Sequence, residues 1–157
     1  MRFTLWVLRM IGLFHHLNEF KKKRVKPVIG SVVYCDLFSN YASHSGIYIG
    51  NNQIVHLNGK GQIEMVSPER FIAGTTAYAI NVSCQGEKAV GSRTIANRAK
   101  KKLNTSRNYN LLFDNCHQFV AGCLTGEFDN NANNFLWILE MTAEEKLGSD
   151  NWLMWHF

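Results

Sequence analysis

The spacing of apolar residues changes once along this chain, near Gly86, and that change limits the folds open to it. Before Gly86 the apolar residues come in short β-branched and aromatic runs: 28–35, 45–50, 53–57, 62–66 and 75–82. Runs of this kind read as strands. Asn51-Asn52, between the second and third, is a hairpin turn signal. Residues 67–71 read as a brief helical turn. After Gly86 the period lengthens. Ala89, Val90, Ile95, Ala96, Ala99 and Leu103 line one side of a helix, with Arg and Lys between them. Cys116, Phe119, Val120, Cys123 and Leu124 stand at i, i+3, i+4, i+7 and i+8, one buried helix face that Gly126 ends. A final helix is expected over 135–147. The aromatic tail 151–157 is assigned to packing alone. Strands first and helices second define an α+β domain, with an antiparallel sheet packed against helices.

The 157 residues suffice for one domain with a real core. Apolar residues make up 46% and charged residues 18%, the balance of a folded chain rather than a disordered one. Three segments are expected: an N-terminal arm over 1–26, the main domain over 27–126, and a C-terminal helix with its tail over 127–157. The net charge of +5 is concentrated in Lys21-Lys22-Lys23-Arg24 with Lys26, and in Lys100-Lys101-Lys102. Blocks like these attract anionic surfaces. No zinc-finger, homeodomain or RNA-recognition signature accompanies them, so no specific nucleic-acid partner is expected.

In the arm, Phe3, Trp6, Met10, Leu13, Phe14 and Leu17 fall near helical spacing and precede the basic run. That pattern suits an amphipathic helix, either on an anionic membrane surface or packed on its own domain. Arg9 interrupts the apolar run, and no small-residue cleavage site follows. Neither a cleavable signal peptide nor a transmembrane helix is expected. The four cysteines, Cys35, Cys84, Cys116 and Cys123, form no CxxC pair, so neither a zinc site nor a dithiol redox centre is expected. A reducing, cytoplasmic setting, with or without peripheral membrane attachment, follows as the expectation.

One cysteine has a local reason to be reactive. Asp114 or Asn115 is a natural N-cap, which puts Cys116 in the first turn of its helix. The free N–H groups and partial positive charge there favour a thiolate and would stabilise an oxyanion. Cys123 lies two turns further along and lacks this advantage. A thiol nucleophile also needs a base and a group that orients the base. His44 and His56 bracket the hairpin. With a two-residue turn at Asn51-Asn52, their parities put them on opposite faces. With a three-residue loop over 50–52, Gly46 faces His56, and His44 becomes its diagonal neighbour at roughly 7 Å. A working pair requires the second arrangement, or a bulge that achieves it. His117 sits one step along the helix from Cys116, a rotation of about 100°, and is not expected to act as its base.

His44-Ser45-Gly46-Ile47-Tyr48-Ile49-Gly50, then Val55-His56-Leu57, then Asn115-Cys116-His117-Gln118-Phe119-Val120 resembles the lecithin:retinol acyltransferase-like family. That family belongs to the circularly permuted NlpC-type branch of the papain-like fold, and the resemblance covers about residues 29–126. It implies a nucleophile at the N-terminus of a core helix, with Cys116 in that role. It implies His44 as general base and His56 as the polar member that orients it. Tyr41, Asn115 and His117 would help build the acyl site or the oxyanion site. The family's usual Asn-Cys-Glu-His-Phe is here Asn-Cys-His-Gln-Phe, and its Gly-Asp near the first strand is Gly30-Ser31. These departures leave the three catalytic positions intact and bear on the substrate.

The expected activity is cysteine-dependent acyl transfer or hydrolysis through a thioester. The substrate would be a lipid, such as a phospholipid, or another acyl ester. The competing reading is a thiol amidase or peptidase that cuts peptide, peptidoglycan or isopeptide bonds with the same residues. No metal or cofactor is expected.

Overall fold

The computed structural model describes residues 24–38, 42–106, 115–129 and 135–157, with Asn115 described by its backbone only. Tyr41, Asp114 and the expected helix up to residue 23 lie outside the described residues.

The strands alternate strictly, and that alternation divides the sheet into two faces. β1 (Val32–Asp36), β2 (Ser43–Gly50), β3 (Gln53–Leu57), β4 (Ile63–Val66), β5 (Ile80–Gln85), β6 (Lys88–Ala89) and β7 (Asn151–Trp155) form one sheet. Its order is β4-β3-β2-β1-β5-β6, β7 pairs with β5, and every pairing is antiparallel. Val32, Ile47, Ile49, Val55 and Leu57 project to one face. Val33, Cys35, Ile54 and Val82 project to the other. Both rows are buried, because helices cover the first face, while α1 (Pro68–Ile72) and Trp155 cover the second. This is the expected α+β arrangement.

The helix α3 (Asn115–Thr125) lies on the first face between α2 (Arg93–Lys101) and α4 (Leu136–Leu147). Residues 116–124 are buried without exception, so α3 has no solvent side. The expected single buried stripe is therefore corrected: β2, α2 and α4 enclose the helix from several directions. A helix so enclosed needs apolar or small residues all round, and Phe119, Val120, Ala121 and Leu124 supply them. Burying side chains as large as Phe119 or Leu139 contributes roughly 1.5–3 kcal/mol each. At its C-terminal end, Arg98 of α2 donates from Nη1 to the carbonyls of Cys123 and Leu124, at 3.1 and 3.0 Å. A cation there satisfies the orphan carbonyls and complements the helix dipole.

Several boundaries differ from the sequence expectation. β1 begins at Val32 rather than at 28, because 28–31 form a turn in which Ser31 N–H donates to the Val28 carbonyl. Gly30 and Gly91 permit two backbones to touch there: a Cβ on Gly30 would lie 1.9 Å from the Ser92 carbonyl oxygen, and one on Gly91 2.5 Å from Ser31 N. The strand expected over 75–82 starts later, at Ile80. Ala89 belongs to β6 rather than to a helix, and α2 starts only at Arg93. Where β1 parts from β5, Ser83 joins the gap. Its hydroxyl accepts from Val32 N–H and donates to the Val90 carbonyl, each at 3.0 Å. The tail also does more than pack: β7 pairs with β5 along its whole length, from Ile80↔Trp155 to Cys84↔Asn151. Val25, at the end of the N-terminal arm, donates its N–H to the Met154 carbonyl of β7. Among the described residues, no helix is long and apolar enough to cross a membrane.

Candidate active site

The β2–β3 hairpin decides which side chains meet. Asn51 and Asn52 both have positive φ, 51° and 54°, the backbone of a tight two-residue turn. Asn tolerates this region better than most residues. By itself that turn would separate the histidines. The register shifts between Tyr48 and Gly50, however, leaving Ile49 as the extra residue of a bulge. Beyond the bulge Gly46 pairs with His56, and His44 falls on the same face. The hairpin thus combines the two-residue turn with the register that the longer loop would have produced.

On that face His44 Nε2 and His56 Nδ1 are 2.6 Å apart, and the rings meet edge to face at 80°. Phe71 of α1 closes over both, with centroids 4.9 Å from His44 and 5.6 Å from His56. α1 is held for this task by Pro68 at its start and by Ser67, whose side chain accepts from Arg70 N–H. Gly46 makes room beneath Phe71, since a Cβ there would lie 2.6 Å from Ile54 Cγ2 and 3.1 Å from Phe71 Cε2. Behind the pair, His56 Nε2 faces Glu64 Oε1 at 3.3 Å across the β3–β4 ladder, where His56 and Glu64 are direct partners. Burial drives the His44 pKa from 6.5 down to about 3, reinforced by the neighbouring imidazoles of His56 and His117. Burial also lowers His56, while Glu64 pulls in the opposite direction.

Against the opposite face of β2 lies a third imidazole, supplied by α3. Ser43 and Ser45 flank His44 in sequence and point the other way, towards α3. Between them sits His117, with Nε2 3.0 Å from Ser43 Oγ and Nδ1 2.7 Å from Ser45 Oγ. Burial lowers its pKa to about 4. Cys116, the second residue of α3, lies beside it. Its Sγ is 3.9 Å from His117 Nδ1 and 4.0 Å from the carbonyl oxygen of Ser43, the peptide that leads into His44. Burial raises the thiol pKa, and hydrogen bonding to Ser45 offsets part of that rise.

Among the sequence-derived candidates, then, His44 and His56 are in contact, and Cys116 sits against the start of the strand that carries His44. His117 is nearer to the sulfur than a rotation of about 100° would imply. The first turn of α3 lies flat on β2, so both residues face protein. Asn115 opens α3, and its side chain, like Tyr41, is outside the described residues. Sequence reasoning missed Glu64, Ser43, Ser45 and Phe71. Among the described residues, no group of three or more His, Cys, Asp or Glu side chains is placed to hold a metal ion. None of the four cysteines is in a disulfide.

An α+β domain with a buried helix-terminal thiol beside a histidine-bearing hairpin defines a class of candidate thiol proteins. The sequence model for lecithin retinol acyltransferase matches residues 25–129, and the chain belongs to that family. The family's name is that of an acyltransferase. The match ends before α4 and β7, although both complete the domain built on it. No match is found among the curated proteins.

Proposed function

We propose that this protein is a cysteine-dependent acyltransferase or hydrolase acting on a lipid or another acyl ester through a thioester on Cys116. The α+β architecture is compatible with the permuted NlpC-type, papain-like arrangement that the sequence resemblance implies. The observation that carries the reading is the 2.6 Å His44–His56 contact on the strand against which Cys116 packs.

The chemistry follows from which nitrogens are engaged. His44 Nε2 is committed to His56, which leaves Nδ1 to take the thiol proton once the Cys116 side chain turns from the α3 side of β2, where it rests against Ser43, past the start of the strand to His44. A buried thiol with a raised pKa needs such a base, because little thiolate forms unaided. The sulfur then attacks the acyl carbonyl carbon. The oxyanion is stabilised by backbone N–H groups in the first turn of α3. Collapse expels the alcohol, which receives the proton from His44, and leaves the acyl group on sulfur. An acceptor hydroxyl or water gives up its proton to His44, attacks the thioester and regenerates the thiol.

The test is labelling with an acyl probe, followed by product analysis on phospholipid and peptide substrates. Cys116→Ala is expected to abolish labelling and turnover, and ester products are expected to predominate. Unchanged labelling in Cys116→Ala would overturn the reading, and turnover of peptides alone would turn it into that of an amidase. Residues 1–26 are proposed to add affinity for anionic membranes. That part rests on their sequence pattern, and liposome flotation with and without them tests it.

A further inference from the structure

We infer that Glu64 is a positioning residue that sets the proton arrangement of both histidines and thereby frees His44 Nδ1 to act as base. The inference rests on the proposed role of His44 and extends it by a residue outside the family motifs quoted above.

The argument is one of tautomers. A neutral imidazole carries one proton, so one nitrogen donates and the other accepts. For Nδ1 of His44 to accept a proton from sulfur, the ring must carry its own proton on Nε2. That proton is then donated across the 2.6 Å contact to Nδ1 of His56. His56 must in turn hold its proton on Nε2. Nε2 is buried, makes no well-aligned hydrogen bond, and faces Glu64 Oε1 at 3.3 Å. A carboxylate only accepts, so it favours this tautomer of His56 and, through it, the required tautomer of His44.

Glu64 is itself held in place. Asn58 Oδ1 accepts from the N–H groups of Lys60 and Gln62, at 2.9 and 3.0 Å. That fixes the amide with Nδ2 outward, and Nδ2 donates to Glu64 Oε1 at 3.0 Å. The carboxylate also meets the charge that appears when His44 takes a proton, a charge the relay can share. Arg70 of α1 opposes charge on His56, and His117 opposes it on His44. Glu64 is the one carboxylate that the described contacts place against the pair.

Two variants separate the effects. Glu64→Leu removes the acceptor. Glu64→Gln keeps an oxygen towards Asn58 and His56 but loses the charge. Long-range proton–nitrogen NMR on the folded protein reads each tautomer without any substrate. In the native chain both rings are expected to be protonated on Nε2. In Glu64→Leu, the population of His56 protonated on Nε2 is expected to fall, and kcat to drop about 10- to 100-fold. Glu64→Gln is expected to recover most of the tautomer and part of kcat, with the acid limb of kcat/KM moved to lower pH. His56 protonated on Nδ1 in the native chain, or a tautomer indifferent to Glu64→Leu, overturns the inference even if Cys116 proves to be the nucleophile. Loss of the Cys116 reading would leave the NMR result standing.

Discussion

Two imidazoles stand on opposite sides of β2, His44 on the strand itself and His117 on α3, and their surroundings differ in the one respect that matters for a base. On the Phe71 side, His44 leads to His56 and then to a carboxylate. On the α3 side, His117 is clasped by two hydroxyls, and among the described residues no carboxylate is placed against it. Both rings are pushed well below 6.5 by burial. Among the described residues, only the first can pass a gained proton's charge towards a counter-charge. For His117 to take the thiol proton on Nδ1, it would have to surrender the 2.7 Å bond to Ser45 and hold the charge among neutral groups. Proximity to sulfur alone therefore does not single out His117 as the base. Under the proposed mechanism, the path for charge away from the ring favours His44.

This contrast is broken most directly by comparing His44→Ala with His117→Ala. The first should lower kcat/KM by roughly 10²–10⁴-fold, the usual worth of a general base. The second should retain activity within about tenfold while costing about 1–3 kcal/mol of stability, because it strands buried hydroxyls. Steady-state kinetics beside denaturant unfolding reads both, and a reversed ranking would make His117 the base.

A smaller effect is the dependence of stability on pH. Both rings have lower pKa values folded than unfolded, so below pH 6.5 the unfolded chain binds more protons. Stability should be full above 6.5 and decline on acidification, through about 4 for His117 and about 3 for His44. Unfolding midpoints from pH 7 to 4 test this, and His117→Gln should flatten the decline. A slope unchanged by that variant would show that His117 does not contribute.

The smallest effect belongs to Ser45→Ala. It should cost about 1–2 kcal/mol and raise the Cys116 thiol pKa, since hydrogen bonding to Ser45 lowers it. The rate of alkylation against pH measures the shift. A faster reaction at neutral pH would show that Ser45 does not favour the thiolate.

The contrast also shows what the sequence could carry. Strand and helix types were legible because period 2 gives way to longer spacing near Gly86, and Asn51-Asn52 marked the turn. The bulge at Ile49 was not, since an extra isoleucine looks like any other strand residue until pairing partners are known. β7 escaped because it completes β5 from about seventy residues away, and local pattern says nothing about such pairing. Glu64 reads as the polar face of an edge strand; only the β3–β4 register sets it opposite His56. Ser43 lies just before the strand run expected over 45–50 and Ser45 opens it, and nothing in that run marks either as a partner of His117. The closeness of His117 to the sulfur was not legible, because a helical wheel assumes a solvent side, and α3 has none.

The bulge makes the site a matter of arithmetic. An odd residue in one arm of the hairpin cancels the parity of the turn, and the two rings share a side of the sheet only because of that cancellation. Composition near Asn51 and Asn52 can vary wherever the backbone permits it; the bulge cannot be smoothed out at the same chain length, because the same residues zipped without it would carry His56 to the far side together with Val55 and Leu57, so the pairing that joins the rings is also the one that fills the core.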